Sequence, residues 1–269
     1  MPSRHTVTRD ATELVYWTWP GGGPPTLLLH GIGNYGRYWD LFAEAVGDRL
    51  TLVAPDARGH GESGRPADGY APSDFTADAL AVLDSLGIVD AVVVGHSMGG
   101  THSINLAVRH PERVRALVIV DASPEPLPAG AERARRLVTG RPARFADREE
   151  ARAYLERTSP GYAAAVYENR MAFALREEHG ELVWRSDPAA LGRIMSGRMP
   201  TEDRWNALAA IRCPTLVVRG TRSNVLSEEV AQEMVRTLAD GRLMELEAGH
   251  NVPLERPREL ADATVVLAT

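Results

Sequence analysis

The sequence predicts an α/β fold: a mostly parallel central sheet flanked by helices, with a helical segment inserted before the last two strands. Three observations carry this. Short apolar runs at residues 26–30, 50–54, 91–95, 115–121, 214–220 and 243–247 have the length and β-branched content of buried strands. Between them lie stretches such as Ser73 to Leu86, with Phe75, Leu80, Leu83 and Leu86 on one face, the pattern of an amphipathic crossover helix. From Ala122 to about Pro200 this gives way to polar helical segments broken by Pro and Gly. Strands joined by helical crossovers run parallel, and the active site of such a sheet lies at the strands' C-terminal ends.

In chain order, His5 to Trp19 alternates around Arg9-Asp10-Ala11 and predicts an antiparallel edge hairpin, ended by Pro20–Pro25. Thr26 to His30 is the first buried strand, Tyr38 to Val46 a helix, and Leu50 to Ala54 the next strand. The turn Arg58–Gly64 bridges to the helix at Ser73. Ala91 to Gly100, AVVVGHSMGG, is a strand, a sharp turn and the start of a helix that runs to His110. Arg115 to Asp121 is a strand ending on a carboxylate, which alone reads as a cap or loop acid. Beyond the insertion come the strand Pro214–Gly220, a helix from Ser227 with Glu228 and Glu229 in its first turn, the strand Leu243–Glu247, Gly249-His250-Asn251, and a closing helix over 258–267.

Composition narrows the function. The 269 residues suffice for a substantial core, and the net charge of -6 argues against a nucleic-acid partner. All 30 basic residues are arginine, which removes lysine Schiff-base chemistry and a P-loop lysine. Cys213 has no intramolecular disulfide partner and reads as a half-buried structural thiol. The histidines show no metal-binding spacing, and neither a leader nor a membrane-spanning run is apparent, so no metal, no membrane partner and a cytoplasmic protein are expected.

Chemistry concentrates at Gly95-His96-Ser97-Met98-Gly99. A serine hydroxyl is a poor nucleophile at neutral pH and needs a base in hydrogen-bond reach and a tight turn that exposes it. G-x-S-x-G between a strand and a helix meets the second need.

Leu28-Leu29-His30-Gly31, Asp56-Ala57-Arg58-Gly59-His60-Gly61-Glu62-Ser63, the serine turn and Gly249-His250 resemble, in order and spacing, the motifs of the α/β-hydrolase superfamily, from about Leu14 to the C-terminus. The resemblance implies Ser97 as nucleophile, His250 as base, and main-chain N–H groups of Ile32 and Met98 as the oxyanion hole. It makes Arg58–Gly64 scaffold, Trp39 a packing residue, residues 1–121 and 201–269 the core, and 122–200 a lid that covers the pocket and selects the substrate. Many members keep the triad acid about three residues after the glycine corresponding to Gly220. Here that position is Ser223, followed by Asn224, and neither can be an anion. Glu228 and Glu229 read as helix N-terminal charges. The remaining strand-end carboxylate is Asp121, 24 residues after Ser97, a location some members use. The expected triad is therefore Ser97, Asp121 and His250, in the fold's own order.

Gly31, Arg170, Trp184, Arg185 and Asn251 are candidate substrate-binding residues. The insertion carries 13 arginines against 11 acids, and the rest of the chain 17 against 25; the excess is consistent with an anionic substrate, while exposed Glu/Arg pairs on helices are the commoner source of such a pattern. The expected activity is hydrolysis of an ester, lactone or related acyl bond of a small molecule, without a cofactor. C–C bond hydrolysis, acyl transfer or cyclisation uses the same triad, and a non-catalytic binding scaffold is the alternative of another class. A nucleophilic aspartate, as in haloalkane dehalogenases and epoxide hydrolases, is absent. Monomer and homodimer both stay open.

Overall fold

The computed structural model describes residues 1–197 and 199–269, without the side chains at positions 133, 137 and 138; position 198 of the expected lid thus lies outside the described residues. The chain opens with the hairpin Ser3–Arg9 (β1) and Thr12–Trp19 (β2), turning on Asp10 and Ala11, both at positive φ as a two-residue hairpin loop requires. Then follow Pro25–Leu29 (β3), Asp40–Val46 (α1), Thr51–Pro55 (β4), Pro72–Ser85 (α2), Ala91–His96 (β5), Met98–Arg109 (α3) and Val114–Val120 (β6). The inserted segment holds Pro128–Thr139 (α4), Arg144–Phe145 (β7), Arg148–Thr158 (α5), Ala164–Phe173 (α6), Leu175–Glu178 (β8), Glu181–Trp184 (β9) and Pro188–Ser196 (α7). Thr201–Ala209 (α8), Thr215–Gly220 (β10), Glu228–Thr237 (α9), Gly241–Leu246 (β11), Val252–Glu255 (α10) and Pro257–Ala268 (α11) complete the chain.

Eight strands form one sheet in the order β1-β2-β4-β3-β5-β6-β10-β11. The hairpin lies at one edge, β2 pairs antiparallel with β4, and every later pairing is parallel. Strand periodicity splits the core in two. Val92, Val94, Val118, Val120 and Val218 face Phe42 and Val46 of α1 and Leu260 of α11. Val93, Leu117, Ile119 and Val217 face α2, α3, α8 and α9 through Val82, Leu106, Leu208 and Met234. Trp39 is fully buried in the first layer, and Cys213 packs half-buried against the second.

The insertion departs from its expected all-helical character. β7, β9 and β8 form a three-stranded antiparallel sheet, in which β8 and β9 make a hairpin through His179 and Gly180. Both turn residues have positive φ, 54° and 84°. A two-residue turn ending in glycine between short alternating runs closes a hairpin, while the arginines and glutamates around it resemble a polar helix in composition. Phe145, Leu155, Tyr167, Met171 and Leu175 give the segment its own small core. α7 packs instead on the main body, where Leu191 and Ile194 meet Tyr70 and Phe75, with Ile32 and Met98 against the same cluster.

Candidate active site

The buried strand β5 ends at His96, and the chain reverses at Ser97, whose φ of 55° is a left-handed value that non-glycine residues seldom adopt. The turn exists because its flanks have no Cβ. A methyl on Gly99 would lie 2.1 Å from the Leu29 carbonyl oxygen, and one on Gly95 would lie 2.4 Å from that of Gly99. Ser97 N–H donates to Val120 O at 3.0 Å, which ties the turn to β6. Such strain is sustained only where the surroundings over-determine it.

Two other strand ends at the same edge of the sheet supply the partners. Asp121 follows β6, is fully buried, and also has positive φ, 46°. His250 follows β11, and its Nε2 lies 3.1 Å from Ser97 Oγ while its Nδ1 lies 2.7 Å from Asp121 Oδ2. Three residues 24 and 129 positions apart are thus joined in one hydrogen-bonded chain. Nδ1–H donating to the carboxylate leaves Nε2 as an acceptor facing the hydroxyl.

A fully buried carboxylate needs compensation, and Asp121 has two donors besides His250. Gly220 N–H donates to Oδ1 at 3.1 Å, and Ser223 Oγ–H donates to Oδ2 at 2.5 Å. The Ser223 oxygen in turn accepts the N–H groups of Val225 and Leu226 at 3.0 and 3.2 Å. Ser223 cannot be an anion, and its sequence position carries no sign of a role in the site. Only the pairing of β10 with β6, which brings Gly220 beside Asp121, reveals that it touches the acid.

Ser97 opens onto a cavity of about 1180 Å³ between the sheet's C-terminal edge and the inserted segment. Ile32 and Met98 line it beside Ser97, and Met98 is the first residue of α3, where helix N–H groups have no intrahelical acceptor. Gly31 packs so closely that a Cβ there would be 3.2 Å from that of Ser97. Arg170, Trp184 and Asn251 also line the cavity. Asn251 Nδ2 donates to Tyr162 Oη at 2.8 Å, while Tyr38 Oη donates to Asn251 Oδ1 at 3.5 Å. Neither tyrosine carries a motif that marks it. His96 Nε2 lies 2.8 Å from the His250 carbonyl oxygen, and the His96 ring stacks on Tyr38, so the residue before the serine steadies the loop that carries His250.

Arg185 is placed elsewhere. It is not a cavity residue: its Nε donates to Leu175 O at 2.9 Å and its guanidinium lies 3.7 Å from Glu62.

Arg58–Gly64 is a structural turn. Arg58 makes a two-pronged pair with Asp78 at 2.6 Å, and Asp56 accepts N–H groups of Gly36 and Glu62. Burial pushes the Asp56 carboxyl up to about 6, against those two hydrogen bonds. Burial also lowers His30 to about 4, and its neutral ring accepts Ala57 N–H at Nε2.

Comparison with known proteins bears on the sheet and its connections. The profile of the alpha/beta hydrolase family matches residues 26–263. The chain belongs to the α/β-hydrolase family. It is 28% identical over 220 residues to the 2-(acetamidomethylene)succinate hydrolase of Mesorhizobium japonicum, covering 82% of this chain and 78% of that protein. It is 30% identical over 253 residues to the lipase LipV of Mycobacterium tuberculosis, covering 90% and 92%. The crystal structure of an E-2-(acetamidomethylene)succinate hydrolase superposes with a TM-score of 0.90 at 26% identity over 99% of both chains. As a member of this family the protein is an α/β-hydrolase enzyme.

Proposed function

We propose that the protein is a serine hydrolase that cleaves a carboxylic ester, lactone or related acyl bond of a small molecule through an acyl-enzyme on Ser97. The observation that carries the reading is the continuous chain from Ser97 Oγ through His250 to Asp121 Oδ2, at 3.1 and 2.7 Å. Ser97 Oγ attacks the carbonyl carbon as its proton passes to His250 Nε2, and the carbonyl π pair moves onto oxygen. Asp121 stabilises the imidazolium and holds the tautomer. N–H groups of Ile32 and Met98 hold the oxyanion, each donor being worth about 3 kcal/mol. Collapse expels the leaving group, which takes the proton from His250. Water, deprotonated by the same nitrogen, then attacks the acyl-serine, and collapse breaks the bond to Ser97 Oγ, which takes the proton back from His250 as the acid is released.

The insertion acts as the lid over residues 1–121 and 201–269. It supplies most of the wall facing Ser97 and excludes bulk water from the oxyanion. The substrate is a small molecule and no cofactor takes part.

Intact mass after treatment with a fluorophosphonate tests the reading. One adduct on the wild type that disappears in Ser97→Ala is expected. A wild type that stays unlabelled and turns over no ester or lactone overturns the mechanism.

A further inference from the structure

Buried and half-buried arginines in this protein are generally matched by carboxylates. Arg9 and Arg58 pair with Asp78, Arg37 with Asp40, Arg113 with Asp84, and Arg219 with Glu245. Arg141 and Arg170 differ. Both are half-buried, both line the cavity, and neither has a carboxylate in ion-pair range among the described residues.

The surroundings of Arg141 are those of a prepared cation. Its guanidinium lies over the Trp184 ring, 4.7 Å from the centroid, and Trp184 is held by an Nε1–H bond to Pro142 O at 2.9 Å. Two N–H groups donate to Ser186 Oγ and O, each at 2.8 Å, while Nε has no acceptor. The Arg141 hydrogen bonds go only to neutral oxygens, with Asp187 acting beyond ion-pair range, and burial lowers its pKa to about 10. Arg170 sits on α6 beside Asn169, whose Oδ1 accepts the Tyr35 hydroxyl. The acids lining the same cavity are spoken for: Asp40 by Arg37, Glu132 by Arg135 and Arg136, and Glu168 by Arg152, with Glu44 exposed. Withdrawing a guanidinium from water without a counter-ion is costly, and an arriving anion recovers that cost through charge-assisted hydrogen bonds.

We propose that Arg141 and Arg170 bind a carboxylate of the substrate, so that the preferred substrate is an acyl compound bearing a free carboxylate besides the bond that Ser97 attacks. This rests on the serine-hydrolase reading and narrows its substrate class. A half-ester of a dicarboxylic acid is the simplest such molecule.

The test compares 4-nitrophenyl half-esters of glutarate, adipate and suberate with 4-nitrophenyl alkanoates of the same chain length, as kcat/KM ratios. For at least one length the half-ester is expected to win by about ten- to hundredfold, the range of one hydrogen bond between charged groups. The ratio falls at least about tenfold in Arg141→Gln or Arg170→Gln, is partly kept in Arg141→Lys, and is unmoved in the exposed control Arg258→Gln. A wild-type ratio at or below unity for every length, or one unchanged in both glutamine variants, overturns the inference while the alkanoate turnover leaves the serine-hydrolase reading standing. If Arg141→Gln and Arg141→Lys lose both esters together, Arg141 serves the fold through Ser186 and the inference fails for it. No turnover of any ester, with no adduct on Ser97, overturns the serine-hydrolase reading and this inference with it.

Discussion

Ser223 occupies the position at which many α/β-hydrolases resemble one another in carrying the acid, yet here its hydroxyl donates to Asp121, 2.5 Å away. Asp121→Asn should cut kcat/KM by about 10⁴-fold, because an amide no longer holds the imidazole tautomer. Ser223→Ala removes a hydrogen bond to a buried charge and should cost about ten- to hundredfold, with an altered pH profile as the sign that His250 is affected. Adding Ser223→Asp to Asp121→Asn places a carboxylate beside the same imidazole and should recover part of the loss. A double variant no better than Asp121→Asn would show that Ser223 lies outside the reach of His250.

At the scale of elements, the serine turn depends on the close approach of α3 to β3. Gly99→Ala puts a methyl 2.1 Å from Leu29 O, so the start of α3 must shift and carry Ser97 with it. A displacement of about 1 Å can cost about 10²-fold in rate, and labelling by a fluorophosphonate should slow by that order while the far-ultraviolet dichroism stays native. The β8–β9 hairpin makes the opposite prediction. Gly180 has φ 84° and nothing lies within 4 Å of where its Cβ would be, so Gly180→Ala meets backbone strain alone. It should lower stability by about 1 kcal/mol, read from the denaturant midpoint, with turnover by the folded enzyme close to wild type.

Over the whole molecule, three buried histidines set the response to acid. Burial lowers His30 to about 4, His102 to about 3 and His60 well below its ordinary value. The unfolded chain takes up protons on these rings below about pH 6.5 and the folded protein does not, so stability is present above that pH and is lost as pH falls. Asp56 opposes this: raised to about 6, it keeps a proton in the folded state that the unfolded chain has released. Near pH 5 three protons against one leave a net of at most about two, or up to roughly 3 kcal/mol lost per pH unit, which Asp40, also raised by burial, makes smaller. Urea midpoints at pH 7 and pH 5 check the slope. His102 stacks on Phe75 at 4.1 Å beside a cavity of about 30 Å³, so His102→Phe should fit and remove about one proton from the slope. A slope unchanged in that variant would place the acid response elsewhere.

The strands, the helices that cross between them and the serine turn were legible in the chain, because these rest on local patterns: valine runs, helical periodicity and glycines that admit a reversal. The sequence also led to the family, and through the family to His250 and Asp121, since Ser223 and Asn224 are neutral residues where many members carry an anion. Tertiary structure decided what depends on pairing between distant segments. Ser223 touches Asp121 because β10 lies beside β6, Arg185 is drawn from the cavity by Leu175 O and Glu62, and the insertion holds a sheet because His179-Gly180 closes a hairpin within a polar stretch. Whether an arginine is matched by a carboxylate is likewise invisible in a charge count. The excess of two positive charges in the insertion hides paired surface arginines together with Arg141 and Arg170, and only contact across the cavity separates them.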